Sequence, residues 1–315
     1  MRYLVIFTPA ITAISMSLIG VAPGYGILAI LLFTSGVSSA FFHVPTPVMI
    51  KKVAGDKTGK GMSFYMVGGE AARSVGPLIV TAAVTQWGLS GTFRLMPLGI
   101  LASIILFFRL KDIEIRKDLH GRKIEFRKYG RVLNRYIPLL VTVAGISFFR
   151  GAMKSALTLY LPTFLRDQGN TIWQASQGLA LVQFTGIIGT MFSGTLSDKF
   201  GRKNTLILIT LVSPMLMVLF ILFRDAMAYP ILAVIGFFLV AHQSVILAAI
   251  HDTDSNHLPF INGIYMTTNL FLNAIMIMLV GWLADHIGLI KTFWISSGIA
   301  VFSVFFALRL KVKEE

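Results

Sequence analysis

The feature that most constrains this chain is a succession of apolar stretches, each close to the roughly 20 residues an α-helix needs to cross a bilayer at about 1.5 Å rise per residue. Ten of them are read at 3–21, 26–47, 62–85, 93–109, 136–160, 175–195, 204–223, 228–249, 260–283 and 290–308. Short turns join most of them. Pro9, Pro45, Pro77 and Pro214 fall inside, where a water-soluble helix would suffer but a membrane helix is tolerated because its neighbours re-satisfy the freed carbonyls. With 55% hydrophobic and only 13% charged residues, the chain carries more apolar surface than a soluble core of its length can hide. The expected fold is an all-α membrane protein, a bundle of ten transmembrane helices, and a cytosolic enzyme is excluded. The absence of cysteine removes disulfides, thiolate metal sites and cysteine nucleophiles.

A formal net charge of +14 would suggest nucleic acid in a soluble protein, but here the cations lie between the apolar stretches and are topological. When the loops are assigned alternately to two faces, one receives only Arg94, Arg166, Arg224 and Lys291. Arg73, Arg150 and Lys154 lie within spans. Every other Lys and Arg falls on the opposite face, so both termini are expected in the cytoplasm, in a multi-pass protein of the inner or plasma membrane. One loop objects. Residues 250–259 belong on the basic face by parity yet contain no Lys or Arg. The basic segment 111–135 reads as a solvated cytoplasmic linker, with attraction to anionic headgroups as an added role. A secretory signal at Met1-Arg2-Tyr3 is the weaker account of the start, because the apolar run that follows is longer than a signal core.

Sliding the chain along itself reveals a weak repeat at an offset of 200 residues. Tyr65-Met66 returns as Tyr265-Met266, Gly88-Leu89-x-x-Thr92-Phe93 as Gly288-Leu289-x-x-Thr292-Phe293, and Arg109-Leu110-Lys111 as Arg309-Leu310-Lys311. Spans one to four then pair with seven to ten, while 136–200 has no counterpart. The expected organisation is an incomplete N-terminal helical half at 1–110, the linker at 111–135, and a six-helix half at 136–315.

Between the sixth and seventh spans stands Gly194-Thr195-Leu196-Ser197-Asp198-Lys199-Phe200-Gly201-Arg202-Lys203. This resembles the G-x-L-x-D-x-x-G-R-K cytoplasmic loop of the major facilitator superfamily, with Gly194, Leu196, Asp198, Gly201, Arg202 and Lys203 at the defining positions. The resemblance implies a gating turn whose Asp198 accepts hydrogen bonds from the N-terminal amides of a facing helix, expected to begin near Gly61 and Met62, and so favours one access state. Arg202 and Lys203 would hold the loop on the cytoplasmic side. Phe42-His43-Val44-Pro45, Val67-Gly68-Gly69-Glu70 and Gly76-Pro77-Leu78 look like the fosmidomycin-resistance branch of that superfamily. The sequence departs from the branch at Val44 and at Glu70, where asparagine is usual. Gly76-Pro77 also resembles the helix kink of the antiporter signature, although Ile79-Val80 replaces the glycine pair that would follow. Measured against the family, the first two helices are missing.

Charges within spans are costly, about 2.5 to 3.5 kcal/mol each on insertion scales, and they mark candidate sites. Glu70 and Arg73 are three residues apart and can pair on one helix face. Arg150 and Lys154 share a face with the same sign, which calls for an anion or a carboxylate from elsewhere; Arg150 sits about 21 Å along its span by helix rise. Glu70 and His43 are candidates for proton linkage, against mutual neutralisation for the first and hydrogen-bonded packing for the second. His242 and Gln243 lie mid-span, as do Asn269 and Asn273; interhelical hydrogen bonding competes with substrate contact for all four. His251-Asp252-x-Asp254-x-x-His257 has metal-ligand chemistry, but Asp252 or Asp254 as helix N-terminal acids is the simpler account. No nucleotide-binding loop is present, so an ion gradient is the expected energy source.

The family resemblance therefore implies a secondary transporter of small organic molecules, a proton-coupled efflux protein working by alternating access. It is expected to be monomeric, to lack cofactors, metals and nucleic-acid partners, and to perform no enzymatic reaction. The excess of cations over the single acid within spans suits an anionic substrate, which makes uptake of an organic anion by symport the alternative. A non-transporting remnant is a third reading if the chain is complete as written.

Overall fold

The computed structural model describes residues 2–43, 45–46, 49–50, 53, 58–111, 126–224, 227–253 and 258–310. The described residues form helices without a strand. The chain divides into two compact units, Met1–Lys123 and Ile124–Glu315. Among the described residues, nine helical segments are long and apolar enough to cross a membrane by length and composition. A further helix, Thr58–Trp87, is 30 residues long and carries Glu70, Arg73 and Pro77.

The first unit contains α1 (Arg2–Ser17), α2 (Tyr25–His43), α3 (Thr58–Trp87) and α4 (Met96–Leu110). Helix α1 packs on both α2 and α4. Its approach to α4 is close because Gly99 has no side chain: a Cβ there would lie 2.1 Å from that of Ala13. Buried serines tie α1 to each of its two neighbours. The Ala10 amide donates to Ser103 Oγ at 2.9 Å, and Ser38 Oγ on α2 donates to the Thr8 carbonyl at 2.9 Å. Between apolar helices there is no hydrophobic force to exploit, so small residues and interhelical hydrogen bonds carry the packing.

The second unit contains α5 (Phe126–Ser155), α6 (Leu161–Asp167), α7 (Ile172–Phe200), α8 (Arg202–Leu222), α9 (Ala228–His251), α10 (Leu258–Ile287), α11 (Leu289–Val301) and α12 (Ser303–Arg309). Helix α7 buries a stripe of mostly small residues, among them Gly178, Gly186, Gly189, Ser193 and Ser197. Against it lies α9, close enough that a Cβ at Gly189 would stand 1.8 Å from the Phe237 carbonyl oxygen. Ser193 Oγ completes the seam by donating to the Ala241 carbonyl at 3.1 Å. Elsewhere the unit is filled by apolar side chains, including Phe164 stacked on Phe293 with ring centroids 4.6 Å apart.

The repeat at offset 200 has a structural basis. Gly88 and Gly288 both adopt positive φ, +72° and +81°, and each precedes a helical segment that begins at Leu89 or Leu289. The threonines four residues on are buried and turn their hydroxyls back onto the same turn: Thr92 donates to the Leu89 carbonyl and Thr292 to the Gly288 carbonyl, both at 2.9 Å. These identities mark one recurring turn, in which glycine supplies the left-handed conformation.

The observed helices overrun the apolar stretches. The span read at 136–160 begins as a helix at Phe126 and continues through a π-helical turn, Ala156–Tyr160, into α6. The helix read at 175–195 runs from Ile172 to Phe200 and opens on a capping box, in which Thr171 Oγ1 accepts from the Gln174 amide and the Thr171 amide donates to Gln174 Oε1. Apolarity reports the depth of the membrane, whereas caps and glycines fix where a helix stops.

Candidate functional sites in the two units

In the first unit the candidate residues gather where α2 ends beside α3. His43 closes α2, and its Nδ1 is hydrogen-bonded to the Tyr65 hydroxyl on α3. Phe42 joins them, its ring centroid 6.3 Å from that of Tyr65. Two turns along α3, Arg73 Nη1 donates to Glu70 Oε1 at 2.6 Å, the pairing that their spacing predicts. That ion pair is on the unit's surface, with Arg73 60% and Glu70 28% exposed. Helix α3 continues through Pro77, whose missing N–H leaves the Arg73 carbonyl without its usual helical donor. Gly76 is free of close contacts, so packing does not demand glycine there.

In the second unit Arg150 is at the centre of a polar junction. Its side chain is buried, 1% exposed, and it spans from α5 to both α8 and α9. Nη1 donates to the Ile209 carbonyl and to Ser213 Oγ, each at 3.1 Å. Nη2 donates to the carbonyls of Phe238 at 2.9 Å and Leu239 at 3.3 Å. For Arg150 the expected counter-charge is not a carboxylate: no acid among the described residues lies within ion-pair distance of it. Neutral dipoles replace it. Burying an ion costs several kcal/mol, and hydrogen bonds to a charged donor return about 1.5 to 3 kcal/mol each, so four of them offset much of the penalty. His242, 3% exposed, meets the same place, its Nδ1 lying 3.1 Å from the Leu239 carbonyl. The bond is within α9 and not between helices. Lys154 is half-buried one turn beyond Arg150, just ahead of the π-helical turn, a feature that often accompanies functional sites. Gln243 is half-buried, as are Asn269 and Asn273 on α10.

The loop motif forms a third cluster. Gly201 adopts φ +83° between α7 and α8, which lets the chain reverse in one residue. Arg202 then reaches back to Asp198, to Ser197 Oγ at 2.5 Å, and across to Asp252 Oδ2 at 2.9 Å. Asp198 is therefore paired with an arginine of its own turn. The residues 59–64, where a facing helix was expected to supply amides, have side chains outside the described ones. Asp252 stands at the C-terminal end of α9, so of the two acids considered for a helix N-terminus only Asp254, outside the described residues, is left for that role. The bond between Asp252 and Arg202 places the 250–253 turn on the same face as the Gly194–Lys203 loop, which removes the objection raised by a loop without Lys or Arg. The Asp254 and His257 positions lie outside the described residues, as does the His251 side chain, and no metal-ligand cluster occurs among the described ones. Leu196 and Gly194 are half-buried on α7, and Lys203 is exposed at the start of α8. Replacing Gly201 by Ala should cost about 1 kcal/mol through the left-handed backbone alone. A thermal melt of the detergent-solubilised protein would register it as a lowered midpoint; an unchanged midpoint would show that the turn relaxes.

Tyr65 and Ser213 were not singled out from the sequence as site residues, and Asp252 was named there only as a candidate metal ligand or helix N-terminal acid. Tyr65 was visible only as a member of the repeat. Ser213 carried a weak signal, a small hydroxyl directly before Pro214 in an apolar span. Asp252 was legible as an acid near the basic face, but its partner lies 50 residues away in sequence.

Apolar helices of this length, paired through small residues and carrying a few ionisable groups, define a multi-pass membrane protein. The Major Facilitator Superfamily model matches residues 2–271, and the chain belongs to that family of transporters. It is 24% identical over 289 residues to an uncharacterized MFS-type transporter, YfnC, of Bacillus subtilis, covering 90% of this chain and 71% of that protein. It is 23% identical over 282 residues to the fosmidomycin resistance protein of Escherichia coli, covering 87% and 68%. Among solved structures, a D-xylose–proton symporter superposes with a TM-score of 0.72 at 14% identity, over 97% of this chain and 79% of that one. The Escherichia coli fucose:proton symporter gives 0.63 at 12% identity, over 99% and 83%. These likenesses establish the fold.

Proposed function

We propose that this protein is a secondary active transporter that couples proton movement to the passage of small organic molecules, in the direction of efflux, by alternating access. The observation that carries this is a histidine near an arginine in each unit: exposed His43 at the end of α2 with Tyr65, Glu70 and Arg73 of α3, and buried His242 with Arg150 and Lys154. Charged and titratable groups are expensive at such positions, and in membrane proteins they commonly serve ion and substrate paths. The resistance-protein relative supports efflux. The alternative, uptake of an organic anion by symport, is favoured by the excess of cations within the spans and by the likeness to proton symporters. In this proposal both termini and the 111–135 segment face the cytoplasm of the inner membrane, the working unit is a monomer, and the Arg202 cluster is the latch that weights the two access states.

Reconstitution into liposomes with an imposed pH gradient tests the reading, with fosmidomycin and a set of small carboxylates and phosphonates as probes. Gradient-driven flux of at least one probe is expected, and its sign separates efflux from uptake. His43→Gln and Glu70→Gln should each lower gradient-driven flux about tenfold or more, which corresponds to about 1.4 kcal/mol in the rate-limiting barrier, while exchange without a gradient persists. Absence of gradient dependence for every probe, or indifference to both substitutions, would refute proton coupling.

A further inference from the structure

We propose that Arg150 is a positioning residue, not a substrate ligand: through the Leu239 carbonyl it fixes His242 as the Nδ1–H tautomer and pins the middle of α9 to α5 and α8. The inference rests on the reading of His242 as a proton-handling group only for its functional meaning; the geometry stands independently.

At 1% exposure the Arg150 side chain has no open surface to offer a solute. Two terminal nitrogens make four hydrogen bonds, divided evenly between Ile209 and Ser213 on α8 and Phe238 and Leu239 on α9. The α8 half of the socket is prepared by Ser213, whose hydroxyl donates to the Ile209 carbonyl at 2.6 Å and accepts from the guanidinium. It lies next to Pro214, where the helix ladder loses a donor. Ser297 Oγ on α11 donates to the Pro214 carbonyl at 2.9 Å, which extends the tie to a fourth helix. A planar fork of donors can hold several carbonyls on different helices at once, and a lysine ammonium on a flexible stem cannot reproduce that geometry.

The consequence for His242 follows from hydrogen-bond chemistry. The Leu239 carbonyl oxygen can only accept, so the His242 Nδ1 that approaches it at 3.1 Å carries the hydrogen. Nε2 is then the nitrogen with a free lone pair, the atom that takes up a proton. The same oxygen accepts from Arg150 Nη2. Arg150 therefore holds in place the group that selects the tautomer, and it does so from one turn below. The charged side chains that act on His242 are Arg150 and Lys154, both from α5.

The test uses the full chain in detergent and needs no substrate. Nitrogen-15 spectra of the labelled histidines, with the His242 signal assigned by its loss in His242→Gln, should show Nδ1 protonated in the parent. Exchange of backbone amides is measured in parallel over 237–244. In Arg150→Met, which removes the charge at nearly the same length, the tautomer signature should be lost or mixed, and exchange over 237–244 should rise about tenfold while α1 and α4 are unaffected. Arg150→Lys should recover less than half of that protection. If Arg150→Met does not fold, Ser213→Ala, which removes one acceptor and leaves the arginine, should raise exchange over 237–244 about threefold. An Nε2–H tautomer in the parent overturns the proposal, as does unchanged exchange in the folded variants. A rise spread uniformly over both units also overturns it, since that is the signature of general destabilisation. Failure of proton coupling in liposomes would leave these readouts untouched, so the two ideas fall separately.

Discussion

Gly189→Ala is expected to be the most destabilising single-methyl change in the second unit, costing about 3 kcal/mol or more, at or beyond the upper end of the usual range for overpacking. The added Cβ would stand 1.8 Å from the Phe237 carbonyl oxygen and 2.6 Å from its carbon. Both atoms belong to backbone, so no rotamer change can make room, and α7 and α9 must separate. Separation would also lengthen the Ser193 bonds to Ala241 and Ser244 further along the same seam. Gly236→Ala should behave similarly, its Cβ facing Thr185 Oγ1 at 2.0 Å and the Val182 carbonyl at 2.4 Å. Gly298→Ala is the control: nothing lies within 4 Å of its Cβ position, and its effect should stay within about 0.5 kcal/mol. Size-exclusion profiles of detergent extracts after graded heating give the order. Equal melting of Gly189→Ala and Gly298→Ala would mean that α7 and α9 are not in backbone contact.

Arg202→Met should lower transport about tenfold or more while changing stability by less than about 1 kcal/mol, because partly exposed ion pairs contribute little to folding. Arg202 is 17% exposed, and its two acids are 63% and 40% exposed. In the proposed mechanism the cluster acts on the balance between access states: the substitution frees Asp198 and Asp252 at once and removes the tie between the α7–α8 turn and the end of α9. Arg202→Lys should restore little, since the guanidinium donates to the two acids from Nε and Nη1 and an ammonium lacks that fork. Asp252→Asn should repeat part of the loss. Flux into liposomes, compared with the melting temperature of the same preparations, separates the two effects. A melting temperature that falls in step with flux would reduce the cluster to a structural brace, and full flux in Arg202→Met would remove it from the mechanism.

The helical class, the family and most of the span positions were legible in the sequence because each depends on local quantities: the length of an apolar run, a loop motif, a glycine at a fixed place in a turn. The 200-residue repeat was legible for the same reason, and Gly88 and Gly288 show the conformation that preserves it. The Glu70–Arg73 pair was also local, three residues apart on one helix. What sequence could not supply was the identity of partners far apart in the chain. Arg150 and Lys154 share a face and a sign, which from sequence alone called for an anion or a carboxylate from elsewhere. The tertiary structure instead gives Arg150 four neutral acceptors from α8 and α9, because two helices cross within reach of its fork. Asp252 follows the same rule, since its partner Arg202 lies 50 residues away, whereas the Asp198–Arg202 pair is local. Local sequence determined that the chain is a helical membrane transporter and where its turns fall; only the packing of helices through small residues decided which polar groups meet, since backbone carbonyls carry no side-chain signature and become binding partners only when another helix approaches them.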